Sequence, residues 1–265
     1  MIDINKSVLK KIRTLRDNKW ADKEDPVVVE TPVTLFLNGK ELVTLLCTPE
    51  KIDRLALGFL RSEGFIDTVD DLSSIRVNEG RLVEIELNKD TGAIEKLYGK
   101  RTITSGCGKG TIFFNVLDSM QSKPLDGKLQ VEADTIISLS KKVQHISDLF
   151  KITGGVHSAA LADKNEILFF FEDIGRHNAV DKLVGECLLG RIPMEGKFFI
   201  LSGRITSEIL LKAARLKTEL IVSRAAPTTL SIELADKLNI TLIGFARGQR
   251  MNIYTHQWRV LKEHS

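Results

Sequence analysis

The residues best placed to do chemistry stand between Thr104 and Thr111, in the run Thr104-Ser105-Gly106-Cys107-Gly108-Lys109-Gly110-Thr111. Glycines on both sides of Cys107 remove side-chain bulk and widen the backbone conformations open to the chain, so a second molecule can approach the sulfur closely. Lys109 places a cation two residues away, which favours thiolate over thiol, and the thiolate is the nucleophilic form. Such a sulfur can attack a sulfane donor and carry the extra atom itself. The same run also reads as an ordinary surface loop holding one inert cysteine, because free cysteines are often buried filler. Cys47, after the apolar run Val43 to Leu46, and Cys187, beside Leu188 and Leu189, fit that plainer description.

A second kind of chemistry is signalled by arginines that follow apolar, strand-like runs. After Phe171 comes Glu172-Asp173-Ile174-Gly175-Arg176-His177-Asn178; after Leu201 comes Ser202-Gly203-Arg204; after Val222 comes Ser223-Arg224; after Phe245 comes Ala246-Arg247-Gly248-Gln249-Arg250. In open α/β sheets ligands bind beyond the carboxyl ends of the strands. Guanidinium groups and helix N-termini gathered there suit phosphate. Any one of these arginines alone is read as solvated, whereas four equivalent strand ends argue for a large anion with more than one phosphate. His157, Asp173 and His177 have ligand chemistry, but their spacing matches no metal motif, so hydrogen-bonding roles are expected and no metal site is assigned. His157 is followed by Ser158-Ala159 and no Pro-Cys-x-x-Cys occurs, which disfavours zinc deaminase chemistry.

The secondary structure expected around these groups falls into two parts. Residues 1 to about 26 are expected to form a short basic amphipathic helix and a charged connector. Asn38-Gly39 marks a hairpin. Ile52, Leu55, Ala56, Phe59 and Leu60 recur at helical spacing, with Gly64 as the stop. The boundary is expected in the Ser, Lys, Pro, Asp and Gly cluster at 119–128, giving an α+β domain over 1–125 and an α/β domain over 126–265. In the second, a helix within 129–150 precedes strands at 157–161, 167–171, 197–201, 219–222 and 241–245. Helices at 178–188, 206–216 and 228–238 separate the last four, an alternation that implies a three-layer α/β domain. A chain of 265 residues with a formal charge of only +3 gives no argument for nucleic acid. No apolar run approaches bilayer length, so no membrane association is expected. Three widely spaced cysteines match neither a disulfide framework nor a zinc pattern, and a cytoplasmic location is expected.

Several long segments together resemble the formate dehydrogenase accessory protein family, the FdhD sulfurtransferases. They are Thr153 to His157, Glu172 to Lys182, Ala225 to Thr228 and Gly244 to Tyr254, preceded by Ala56 to Leu60 with Glu63-Gly64. The resemblance implies a sulfur carrier that takes a persulfide sulfur from a cysteine desulfurase. It would pass that sulfur to the molybdenum (or tungsten) bis-guanine-dinucleotide cofactor on behalf of a formate dehydrogenase. It places Cys107 on the persulfide-carrying cysteine, and Phe245, Ala246, Arg247, Gly248, Gln249 and Arg250 on the cofactor-binding segment, where GDP would mimic the cofactor. It further implies a homodimer and a second domain resembling a cytidine deaminase fold. One departure stands out: the family often carries Cys-x-x-Cys in the thiol segment, and here the second position is Gly110. Transfer would then run directly from Cys107 to the acceptor. The alternative is a chaperone that binds and inserts the cofactor without a covalent step; a nucleotide hydrolase is weaker, for want of a P-loop.

Overall fold

The computed structural model describes residues 6–88 and 123–262. Its centre is a six-stranded sheet in the order β13-β12-β11-β10-β8-β9. The strands are β8 (His157–Ala162), β9 (Ile167–Asp173), β10 (Phe198–Leu201), β11 (Leu220–Ser223), β12 (Thr241–Arg247) and β13 (Arg250–Ile253). β10, β11 and β12 run parallel, while β8 pairs antiparallel with both β10 and β9. The carboxyl ends of β9, β10, β11 and β12 therefore share one edge.

Period-two alternation builds two cores from this sheet. Phe199, Leu201, Ile221 and Leu242 face one way, into a core with Val180, Leu183 and Val184 of α4 (Arg176–Leu189), Ile209 and Leu210 of α5 (Ser207–Arg215), and Leu234 of α6 (Thr229–Lys237). Phe198, Ile200, Val222 and Ile243 face the other way, onto Ile136, Leu139 and Val143 of α2 (Ala133–Ile146). Helices thus cover both faces, as the alternation of elements predicts. The helix expected within 129–150 ends at Ile146, and Ser147 starts a separate helix, α3 (Asp148–Thr153), by accepting a hydrogen bond from the Phe150 amide at 3.3 Å. Strands β7 (Val131–Glu132) and β14 (Val260–Leu261) pair in a small parallel sheet that sequence periodicity does not reveal.

A four-stranded sheet precedes this body, in the order β4-β3-β6-β5, from β3 (Thr31–Leu37), β4 (Lys40–Cys47), β5 (Leu72–Asn78) and β6 (Leu82–Leu87). Asn38 and Gly39 close the β3–β4 hairpin with φ of 48° and 73°, as expected. Val33, Leu35, Leu37, Val83 and Ile85 pack on α1 (Ile52–Glu63), which Gly64 terminates at φ 82°. The opposite side of α1 lies against α4 in backbone contact. A Cβ on Gly58 would stand 1.7 Å from the Asp181 carbonyl oxygen, and one on Gly185 would stand 2.0 Å from that of Arg54. Beside this crossing Asp181 is buried, receiving Lys212 Nζ at 2.6 Å and the Ser62 hydroxyl at 2.7 Å. Asp173 is buried too: Lys182 Nζ lies at 2.7 Å and the Thr48 hydroxyl at 3.0 Å.

The N-terminal expectation of a helix is overturned. Ser7–Arg16 and Lys19–Val28 form an antiparallel hairpin, β1 and β2. Val8, Leu9, Ile12 and Leu15 have spacings that also suit a helix. The deciding feature is Asp17-Asn18, whose φ values of 49° and 58° make a two-residue turn matched to strand twist. Among the described residues no helix is long and apolar enough to cross a membrane.

Candidate functional site

Cys107, the Thr104 to Thr111 run and Gly110 lie outside the described residues. The other two thiols, Cys47 and Cys187, are free and buried. Cys47 is fully buried on β4, and its thiol is pushed up to about 12, first by burial and then by the Asp173 carboxylate. Cys187, in α4, is likewise pushed up to about 12 by burial and by Glu186. At neutral pH neither is a thiolate or open to a donor. Both are the core filler that their neighbours in sequence suggest.

The shared carboxyl edge gathers the arginines. α4 starts with Arg176 after the Gly175 cap, and Gly175 is positioned by its amide donating to Asp173 Oδ1 at 2.9 Å. α5 and α6 start at the same edge, capped by Thr206 and Thr228. A serine opens each short loop. The Ser202 hydroxyl accepts from the Ser158 amide at 2.8 Å; the Ser223 hydroxyl donates to the Gly203 carbonyl at 2.6 Å and accepts from the Ala225 amide at 3.0 Å. These bonds hold Arg204 and Arg224 at the rim. Arg247 Nε donates to the Arg224 carbonyl at 2.6 Å, tying the fourth loop to the third.

Of these side chains Arg176, Arg204, Arg224, Arg247 and Arg250 have no carboxylate within 4 Å among the described residues, although the chain carries 35 acidic residues. The Nε atoms of Arg176 and Arg224 are buried with no hydrogen-bond partner among the described residues. Burial, and then the neighbouring Arg247, lower the pKa of Arg224 from its ordinary value. Cations crowded together with no carboxylate partner among the described residues concentrate a positive potential, and an arriving anion relieves both the repulsion and the unmet donors.

The segment from Phe245 to Arg250 divides by position. Phe245 is half-buried at φ 53°, in the register shift between Gly244 and Arg247 that bends β12. Gly244 is required there, since a Cβ would stand 2.9 Å from Pro227 Cδ and 3.1 Å from the Ala225 oxygen. Ala246 is buried in the core shared with α2. Arg247, Gly248, Gln249 and Arg250 are exposed, with Arg247 paired to Arg250 across the Gly248-Gln249 turn. The Arg247 guanidinium lies 5.9 Å from the Phe245 ring centre.

His157 belongs to this edge. Its Nδ1 lies 3.4 Å from the Ser202 hydroxyl oxygen, and its pKa is lowered by burial first, then by Arg176, His177 and Arg204. His177 Nε2 lies 3.0 Å from Glu208 on α5. Asp173 turns inward to Lys182, Thr48 and Asn178. The run from Glu172 to Lys182 therefore splits into scaffold (Asp173, Asn178, Asp181, Lys182) and rim (Arg176, His177). Sequence reasoning does not find Ser202 and Ser223 as loop anchors; the available signal is a serine directly after each of two apolar strands.

Asn88 follows β6 in the four-stranded sheet, whereas Leu125 lies at the amino edge of the six-stranded one. The Asn88 amide donates to the Asp71 carbonyl, and the Leu125 amide to that of Leu238, just before β12 begins. Asn239 Nδ2 also donates to the Leu125 carbonyl at 2.7 Å.

Comparison with known proteins finds relatives over most of the chain. A family model described as the FdhD/NarQ family matches residues 28–261. The chain is 41% identical over 251 residues to the sulfur carrier protein FdhD of Geobacillus kaustophilus, covering 94% of this chain and 95% of that protein. It is 42% identical over 260 residues to that of Bacillus pumilus, covering 97% and 99%. A crystal structure described as that of a formate dehydrogenase accessory protein from Desulfotalea psychrophila superposes with a TM-score of 0.79 at 26% identity, covering 96% of this chain and 99% of that one.

Proposed function

Because this chain belongs to the FdhD/NarQ family, we propose that it is a sulfur carrier serving a formate dehydrogenase, with Cys107 as the carrying thiol. In this reading Cys107 takes a sulfane sulfur from a cysteine desulfurase as a persulfide. It hands that sulfur to the molybdenum (or tungsten) bis-guanine-dinucleotide cofactor, whose phosphates rest on the strand-end arginines. The observation that carries the reading is the pairing of a polyphosphate-sized cluster of arginines, without carboxylate partners among the described residues, with a chain whose other two thiols are locked in cores.

Chemically, the Cys107 thiolate attacks the terminal sulfur of the donor persulfide, the donor cysteine leaves as a thiolate, and the new S–S bond holds the sulfane atom. With Gly110 at the position of a second thiol, no neighbour in that pattern diverts the persulfide into a disulfide. The arginine edge contributes charge neutralisation and orientation. Arg176, Arg204, Arg224, Arg247 and Arg250 offer donors to phosphate, and the exposed Gly248-Gln249 turn gives backbone access. The working unit in this reading is a cytoplasmic homodimer, and the three-layer half is a deaminase-like scaffold turned to binding.

A second reading is favoured by one observation. Leu125, after Cys107 in the chain, is held at the amino edge while the arginines stand at the carboxyl edge, so a chaperone that binds the cofactor without touching its sulfur also fits. Reach does not separate the two. β12 is 7 residues long, roughly 23 Å of strand. Cys107 stands 16 residues before Lys123, and a chain of that length spans at most about 55 Å. Replacing Cys107 by Ala does separate them. In cells lacking the native copy, a carrier so altered leaves formate dehydrogenase inactive while still binding GDP; unchanged formate dehydrogenase activity would reject the carrier reading.

A further inference from the structure

The arginine edge holds two histidines: His177 lies 3.0 Å from the Glu208 carboxylate, whereas His157 has no carboxylate within 4 Å among the described residues. We infer that His157 takes up a proton when a polyphosphate ligand binds there, adding a cationic contact that the empty site lacks. The inference rests on the arginine edge being the ligand site and adds to it a proton-linked affinity.

Among the described residues, His157 faces Arg176 and His177 from α4, and Arg204 from the loop after β10. Gly203 sits so close that a Cβ there would stand 3.4 Å from His157 Nδ1 and 3.1 Å from Arg176 Cβ. On β9 its cross-strand neighbour is Asp173, whose carboxylate is engaged by Lys182 at 2.7 Å, by the Thr48 hydroxyl at 3.0 Å and by Asn178 at 2.9 Å. Glu208, the other carboxylate nearby, lies against His177. Among the described residues no acid is therefore left to hold an imidazolium, and three neighbouring cationic or basic groups oppose one. An anion laid across the same arginines reverses the sign of the local field.

Ser202 makes both protonation states tolerable. Its oxygen already accepts from the Ser158 amide at 2.8 Å, and a hydroxyl keeps one donor and a second lone pair. When His157 is neutral with Nδ1 unprotonated, the hydroxyl donates to it; when His157 is charged, Nδ1–H donates to the oxygen. Rotation of one hydroxyl suffices, and Nε2–H stays a donor in both states. The proton comes from bulk solvent, and no other bond changes.

The sign follows. Ligand raises the pKa of His157 from its lowered value, so binding strengthens as pH falls through the liganded pKa and levels off below the free one. The probe is guanosine diphosphate mannose, because its esterified pyrophosphate does not titrate in this range, whereas the terminal phosphate of GDP does, with a pKa of about 6. Titration calorimetry at pH ~6.5 in two buffers of different ionisation enthalpy counts the protons. The expected result is uptake approaching one proton per ligand, with affinity several-fold tighter at pH 6 than at pH 8. In H157Q, uptake falls to near zero and the pH profile flattens. Binding without proton uptake by the unaltered protein overturns the inference whatever the variant does. So does uptake that survives in H157Q and is lost in H177Q. Failure of the unaltered protein to bind the probe at any pH overturns the ligand site itself, and this inference with it.

Discussion

Gly58 sits in the middle of α1, where helix propensity alone says that alanine should stabilise the protein by about 1 kcal/mol. The structure reverses that sign. A Cβ would stand 1.7 Å from the Asp181 carbonyl oxygen, backbone that cannot swing aside. To bring the new methyl to an ordinary contact distance, α1 must move off α4 by about 2 Å. That displacement breaks the hydrogen bond from Ser62 to Asp181, now 2.7 Å, and loosens the Arg54–Glu186 pair, now 3.0 Å. A buried hydrogen bond to a charged group contributes about 1.5–3 kcal/mol, and overpacking costs typically ~1–3 kcal/mol more. Less the propensity gain, the expected loss in G58A is about 2–5 kcal/mol, read as a lower urea midpoint at unchanged slope. Gly80 is the control: its φ is +67° and a Cβ added there would meet nothing within 4 Å, so G80A carries only the left-handed backbone cost of about 1–2 kcal/mol. A G58A protein as stable as the parent, or more so, would refute the helix contact.

Three further outcomes are expected. K182M leaves Asp173 charged and buried without its ion partner, so its urea midpoint should drop by the equivalent of about 3–5 kcal/mol, with less loss when Asp173 is replaced by Leu in the same chain. Cys47 and Cys187 have folded pKa values raised above the ordinary 9.0, so the unfolded state releases their protons first. Their contribution to stability is present below pH 9 and is lost as pH rises toward 12, and thermal scans across that range check it. R224Q and R247Q should each weaken GDP binding by about tenfold or more, from the loss of one charge-assisted hydrogen bond, and the two together should reduce its salt dependence; equilibrium dialysis at two ionic strengths measures both.

Much of this site is legible in the sequence because its signals are local. An arginine directly after an apolar strand must stand at a strand end, and four such places at parallel strands must share an edge. Thr206 and Thr228 announce helix starts, and Asn38-Gly39 a hairpin, by turn and cap chemistry that the structure repeats. The rest depends on partners distant in sequence. Nothing near Gly58 or Gly185 says that each faces another helix's backbone. Nothing near Asp173 or Lys182 says that two charged residues are fully buried together. The first hairpin reads as a helix because Val8, Leu9, Ile12 and Leu15 satisfy a helical spacing, while the Asp17-Asn18 turn lacks the glycine that usually marks one. β13 and the end of β12 escape a reading by period because the Phe245 bulge breaks strand alternation just where the arginines begin.

If a single thiol of this chain bears the sulfur, the mass of the intact protein reports it. After incubation with a cysteine desulfurase and cysteine, the chain should gain about 32 Da, one sulfur atom on one thiolate, with the addition mapped to the peptide containing Cys107 and absent from C107A. A chain that gains no mass, or gains it on Cys47 or Cys187, would contradict the assignment.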